Sequence, residues 1–365
     1  MSLACGIVGL PNVGKSTLFN AITNAGADAA NYPFCTIDPN VGMVPVPDAR
    51  LAVIREHIET QEVVPAMLKV VDIAGLVAGA SRGEGLGNQF LSHIRETDAI
   101  LHVVRCFEDD DVTHVSGRVD PLGDVEVIET ELALADLDSF ERAIERHAKR
   151  ARGDRDVAAK VATLQVARDR LAAGERLRGH AWTDAQRAHL RELFPLTMKK
   201  VLYVANVDQD DLAGESGHVA ALRAHAEREG AETVVLCADL EAELAAMEPG
   251  ERAEFLAELE LEEPGLDRLA RKAFALLGLQ TFFTAGPKAI RAWTIRAGDV
   301  APRAAGVIHT DLEKRFIRAE VYSVEDLVEC GSEAAIRAKG RMRVEGREYV
   351  VQDSDVVYFL TDRGG

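Results

Sequence analysis

Between Gly9 and Thr17 the chain reads GLPNVGKST, which sets Gly9, Gly14, Lys15 and Ser16 at the spacing G-x-x-x-x-G-K-[ST] of a Walker A loop. Glycines in such a loop let consecutive backbone N–H groups converge on one anion, and the helix that follows adds its positive N-terminal end. Lys15 supplies a point charge for β- and γ-phosphates, and Ser16 a hydroxyl for a magnesium ion. Further on, MLKVVDIAG delivers Asp72 to the end of an apolar run. A carboxylate there, beside a phosphate loop, holds magnesium through water, while the Gly75 N–H can meet the γ-phosphate. Thr36, in the Pro-punctuated loop NYPFCTIDPN, is the residue type that completes the magnesium shell from a first switch loop. The chemistry these residues point to is binding and hydrolysis of a nucleoside triphosphate. The run GASRGEGLGNQF superficially imitates a dinucleotide fingerprint, but no strand leads into it; it reads as the second switch loop.

These residues need a rigid support, and the apolar pattern predicts one. Leu3 to Val8 reads as a strand, and Leu18, Phe19, Ala21 and Ile22 form a helical stripe behind the loop. Further strands are predicted in AILHVVRC (99–106), KVLYVA (200–205) and TVVLC (233–237). Alternating with helices, they make a doubly wound, mostly parallel α/β sheet, in which Gly9, Asp72, Asn206 and Ala238 all fall at strand C-terminal ends. From Val125 to about Phe194 the periodicity is helical, with Gly153 at a hairpin tip and Thr183 as an N-cap after Trp182. Pro264 to Leu277 reads as a last helix. After Gly278 the pattern changes to short strands at 280–283, 292–295, 316–322, 349–351 and 356–360, the mark of a small mixed domain.

Composition narrows the partners. At 365 residues, 47% hydrophobic and 28% charged, the chain is expected to be globular with two or three domains. No apolar run is long enough to span a membrane, and MSLACGIVGL reads as a strand and not a signal peptide. Five scattered cysteines without a C-x-x-C fit a reducing cytoplasm. The net charge is −18, but from Leu277 onward 13 basic residues balance 13 acidic ones, so the deficit lies wholly in the first 276 residues. Contact with RNA is therefore expected through the C-terminal part.

GLPNVGKST, NYPFCTIDPN, DIAGLVAGASRGEGLGNQFL, IRETDAILHVVRCF, TELALADLD, RAWTI and IHTDLEKRFIRAEV together resemble the YchF subfamily of Obg-like ATPases, over essentially the whole chain. The resemblance implies an OBG-type P-loop domain of the TRAFAC class at 1–276, with a helical-hairpin insertion at about 125–195. It implies a β-grasp, ubiquitin-like TGS domain at 278–363. It further implies preference for ATP and association with the ribosome. Together with the magnesium ligands and apolar pattern above, the expected partners are ATP, magnesium, and rRNA and proteins of the large subunit, with no DNA or membrane partner. Carried over by residue, Asn12, Val13, Gly14, Lys15, Ser16 and Thr17 contact phosphates, Ser16 and Thr36 bind magnesium, and Asn206 and Val207 contact the base. The family's N-x-x-E, which replaces the N-K-x-D of GTPases, is here Asn206-Val207-Asp208-Gln209, so Gln209 departs from both patterns. An amide can pair with adenine's N6 amino group and N1, and less completely with guanine.

The expected mechanism has a gap. Leu76 stands where Ras-like enzymes place a water-orienting glutamine. Two substitutes are candidates beside Lys15 as catalytic groups: Asn12, holding a potassium ion near the β- and γ-phosphates, and His114 in DDDVTHVSG, positioning water. Three other readings stay open: a GTP-preferring switch, a nucleotide-binding adaptor with negligible hydrolysis, and a phosphotransferase. The last lacks any acceptor constellation in the sequence.

Overall fold

The computed structural model describes residues 3–25, 40–73, 86–109 and 118–362. In chain order its elements are β1 (Ala4–Val8), α1 (Lys15–Ala25), β2 (Val41–Val46), α2 (Ala49–His57), β3 (Glu62–Val64), β4 (Ala66–Asp72), α3 (Leu86–Glu96) and β5 (Ala99–Arg105). They continue with α4 (Pro121–Ala148), α5 (Arg155–Ala172), α6 (Asp184–Arg191), β6 (Lys200–Asn206), α7 (Gly217–Arg228), β7 (Glu232–Leu236), α8 (Ala238–Ala246), α9 (Pro249–Glu258) and α10 (Gly265–Leu276). The remainder is β8 (Leu279–Thr284), β9 (Ala289–Arg296), α11 (Ala301–Ile308), α12 (Thr310–Lys314), β10 (Phe316–Ser323), α13 (Val324–Cys330), α14 (Glu333–Ala338), β11 (Arg343–Glu345) and β12 (Asp355–Thr361). By internal packing the chain divides into Met1–Met43 with Lys69–Leu269, and Val44–Leu68 with Ala270–Gly365.

The first unit is built on a sheet of order β2-β4-β1-β5-β6-β7. β1 lies between β4 and β5, parallel to both, and all five of its residues are buried. β5 is likewise buried along its length, as a strand covered on both faces must be. β2 was not anticipated; its VGMVPV alternates half-buried and buried, and Pro45 is tolerated because β2 is an edge strand.

The expected hairpin is α4 and α5, closed around Phe140, Ala143, Leu164, Ala167 and Leu171, with Leu177, Trp182 and Leu190 completing the core. Thr183 does cap α6, in a full capping box with Gln186. Trp182 is buried in the core while its indole N–H donates to the Leu177 carbonyl at 3.0 Å.

The second unit carries a mixed sheet of order β11-β10-β12-β8-β9-β3. Phe282, Ile295, Phe316, Val321 and Val357 pack with the small residues Ala301, Ala304 and Ala305 of α11 to form its core. One strand expected from the sequence is absent: at 349–351 only Val350 makes an isolated bridge, to Val300. The following residues turn instead, with the Gln352 N–H donating to Asp355 Oδ2 at 2.8 Å. The β-period also hides that β3 belongs here, pairing in parallel with β9 through Glu62–Ala289 to Val64–Arg291. Among the described residues no helix is long and apolar enough to cross a membrane.

Candidate functional site

The loop from Gly9 to Gly14 is shaped by what cannot be there. A Cβ on Gly9 would lie 2.5 Å from the Val103 carbonyl oxygen, so β5 passes too close for any side chain. Gly14 has φ +92° and a Cβ there would lie 2.2 Å from Asn206 Nδ2. Asn12 also takes a left-handed φ of 61°, a conformation that asparagine tolerates better than most residues. The loop then runs into α1, whose first turn holds no acidic side chain to offset the positive end of the helix.

Lys15 is strongly perturbed by its burial. It is only 8% exposed, and its ammonium donates to the Leu10 carbonyl at 2.5 Å. Burial pushes its pKa down from 10.5 to about 8, against the opposing pull of the Asp72 carboxylate. Asp72 ends β4 beside Ile7 of β1, which places it at the same sheet edge as the loop. Burial raises its pKa, and Lys15 draws it back. Ser16 is exposed at the start of α1, Thr17 is half-buried and Val13 is buried.

At the end of β6, Asn206 is 3% exposed and its amide is used twice within the protein. Nδ2 donates to the Val13 carbonyl at 3.0 Å, and Oδ1 accepts from the Ala238 N–H at 2.9 Å. One side chain thus ties the phosphate loop to the turn that opens α8. Val207 is buried, its N–H donating to the Leu236 carbonyl. The Asp208 carboxylate accepts from the Asp210 N–H at 3.1 Å, and Gln209, exposed like both of these aspartates, opens the following short 3-10 turn. Lys15, Asp72 and Asn206 are therefore brought to one edge of the sheet. Thr36, Gly75, Leu76 and His114 lie outside the described residues.

Two residues of this region were missed in the sequence. Arg105 ends β5, is fully buried, and donates to the carbonyls of Phe107 and Asp109 at 3.0 and 3.1 Å while its guanidinium lies 4.6 Å from the Phe107 ring centroid. An arginine closing the otherwise apolar run AILHVVRC was the available signal. The second is Glu241, buried on α8.

A separate constellation lies around Tyr203 of β6. Glu129, His225 and Glu229 place potential metal-ligand atoms within 4.8 Å of one another. Arg176 and Arg178 pair with both glutamates, and the Tyr203 hydroxyl donates to Glu129 at 3.0 Å. Two guanidinium groups already balance the two carboxylates, so this donor set suits a fastening of α4 and α7 to the sheet better than a cation. Behind it, burial and the nearby Arg178 push His102 down to about 3, so that it is neutral at every ordinary pH.

With this geometry in hand, comparison with known proteins is specific. Residues 4–136 match a family model described as a 50S ribosome-binding GTPase, and residues 279–362 match the model for the C-terminal domain of YchF GTPases, described as a protein of unknown function. The chain is 53% identical to the ribosome-binding ATPase YchF of Escherichia coli O157:H7 over 361 residues, 99% of each chain. It is 51% identical to the protein of that name from Bacillus subtilis over 362 residues, 98% of this chain and 99% of the other. Obg-like ATPase 1 of Homo sapiens is 43% identical over 369 residues, 98% of this chain and 92% of the human protein. The structure of the Schizosaccharomyces pombe YchF GTPase superposes with a TM-score of 0.90 at 36% identity, covering 98% of both chains.

Proposed function

This chain belongs to the YchF subfamily of Obg-like ATPases, and from that premise we propose that it is a cytoplasmic, ribosome-associated ATPase that turns over slowly and acts as a nucleotide-dependent switch. The observation that carries the reading is the loop geometry: glycines held where no Cβ fits, and a buried Lys15 parked on the Leu10 carbonyl. In this reading residues 1–276 form the OBG-type nucleotide domain and 278–363 the TGS domain, with α2 and β3 packed on the latter's strands.

The residues present suit a magnesium nucleotide. The exposed Ser16 hydroxyl and the Asp72 carboxylate offer hard oxygen donors beside a lysine, and Thr36 is the third ligand candidate. Magnesium bound there supplies charge neutralisation on the β- and γ-phosphates. Asn12 to Thr17 grip the phosphates, with Gly75 on the γ-phosphate. Lys15 leaves the Leu10 carbonyl and moves its charge onto the β- and γ-oxygens. Asn206 holds the loop and the base-side turn in register, with Val207 and Gln209 on the base edge. Asn12, supporting a potassium ion, and His114, orienting water, complete the catalytic set.

Capping by Asp208 favours Gln209 as the side chain that meets the base edge, and this supports ATP over GTP. Guanine's N2 amino group would be left unpaired, a cost of about 1–3 kcal/mol or roughly ten- to a hundredfold in affinity. Titration of fluorescent ATP and GTP analogues tests this, and GTP binding tenfold tighter or more overturns it. Ribosome association is tested by co-sedimentation with large subunits in the ATP- and ADP-bound states. Equal and negligible pelleting in both refutes it.

A further inference from the structure

The turn that opens α8 is braced from behind by the side chain of Glu241. Glu241 lies one helical turn into α8, is 2% exposed, and has its N–H bonded to the Cys237 carbonyl at 2.9 Å in the helix's first hydrogen bond. Its two carboxylate oxygens accept from the first N–H groups of α10: Oε1 from Gly265 at 2.7 Å and Oε2 from Leu266 at 3.1 Å. The contact is close enough to dictate the residue opposite. A Cβ on Gly265 would lie 2.7 Å from Glu241 Oε1 and 2.7 Å from Leu236 Cβ.

A buried carboxylate is costly unless its oxygens are satisfied, and among the described residues this one is satisfied where α10 begins. Its position on α8 is therefore tied to the start of α10. Three residues earlier on the same helix, the Ala238 N–H holds Asn206 Oδ1, and Asn206 in turn holds the Val13 carbonyl. Beside that bond to Val13, the phosphate loop has contacts that do not pass through α8: Gly9 lies against the Val103 carbonyl of β5, and Lys15 donates to the Leu10 carbonyl within the loop.

We propose that Glu241 is a positioning residue for the base, clamping α8 to α10 so that the Ala238 turn and Asn206 stand where the base edge must meet them. The proposal rests on the nucleotide-binding reading and assigns Glu241 a role in recognising the base but none in gripping the phosphates.

The test separates the two halves of the ligand. Affinities for magnesium ATP and magnesium tripolyphosphate are measured by calorimetry on the full chain and on Glu241→Gln, which keeps the shape but faces one N–H with an amide donor. Gly265→Ala, which pushes on the same carboxylate from the other side, is the second variant, and thermal unfolding without ligand reports whether each is folded. Loss of one such hydrogen bond is expected to weaken ATP about three- to tenfold. Tripolyphosphate binding is expected to stay within about twofold of wild type, because only the Asn206–Val13 bond links the loop to Glu241 while its contacts with β5 and within itself are kept. Parallel weakening of both ligands overturns the proposal in favour of a structural role, and unchanged ATP affinity in the folded variants overturns it outright. A wild-type protein that binds neither ligand refutes the nucleotide reading itself, and the assignment of Glu241 falls with it.

Discussion

Lys15 makes nucleotide binding a proton-linked event, and the sign of that linkage is fixed by the structure. In the free protein burial holds the ammonium at a pKa of about 8, a displacement from 10.5 that corresponds to about 3 kcal/mol of unfavourable charge burial. Polyphosphate oxygens replace the single Leu10 carbonyl as partner and raise the pKa of the bound state. Affinity is therefore full below about pH 8 and falls above it, as binding has to recover a proton that the free protein has lost. Between pH 7 and pH 9 the dissociation constant is expected to rise about tenfold, or ~1.4 kcal/mol. Stability of the ligand-free protein moves the other way. The unfolded chain keeps the Lys15 proton up to pH 10.5 while the folded one releases it near 8, so this group adds stability as pH rises through that window. Calorimetry at pH 8 in buffers of different ionisation enthalpy reads the proton uptake, and a pH series of fluorescent ATP titrations reads the affinity. Lys15→Arg, whose guanidinium stays charged, is expected to bind more weakly but with no such slope. An affinity flat from pH 7 to 9, with heats independent of buffer, would refute the argument.

Gly14→Ala places a Cβ 2.2 Å from Asn206 Nδ2 at a φ of +92°, and the backbone alone costs about 1–2 kcal/mol. At least a tenfold loss of nucleotide affinity is expected by titration, and wild-type binding would show that the loop relaxes freely. If Asn12 supports a cation, single-turnover hydrolysis depends on potassium and Asn12→Ala abolishes the dependence; equal rates in sodium and potassium exclude it. His114→Ala should slow that same single turnover with nucleotide affinity nearly unchanged, whereas lost affinity would make the residue structural. Phe140→Ala empties the centre of the hairpin core, where the ring is fully buried, and is expected to lower stability by about 3–5 kcal/mol in chemical unfolding. A loss under 1 kcal/mol would mean that α4 and α5 close over the gap.

What could be read in advance was whatever is written locally. The Walker A spacing, the strand ending at Asp72 and the helical stripes of α4 and α5 each lie within a few consecutive residues, so pattern alone finds them. Asn206 was legible as a strand-end residue, but not its second bond to Val13, which joins positions 193 residues apart. Glu241 and the glutamate–arginine fastening around Tyr203 escaped for the same reason: each looks like surface charge until the chain is folded and its partners arrive from other elements. The strand expected at 349–351 shows the converse. A short apolar run beside a tyrosine had the right composition, yet an Asp355 turn claimed its neighbour.

The excursion between β2 and β4 has a consequence for how the molecule comes into being. α2 and β3 leave the first unit and return to it, and β3 finds its neighbour only when β9 exists, Glu62 against Ala289. On a nascent chain an early strand must therefore wait, unpaired, until most of the sequence has been made, and so long-range a pairing is slow to form. The C-terminal strands cannot simply be excised and carried elsewhere as a self-sufficient module, because part of their sheet is encoded ahead of Asp72. Insertion or truncation at the 276–278 junction is thus expected to disturb a strand edge more than two hundred residues upstream, and designs that exchange this region between relatives need to move residues 44–68 with it.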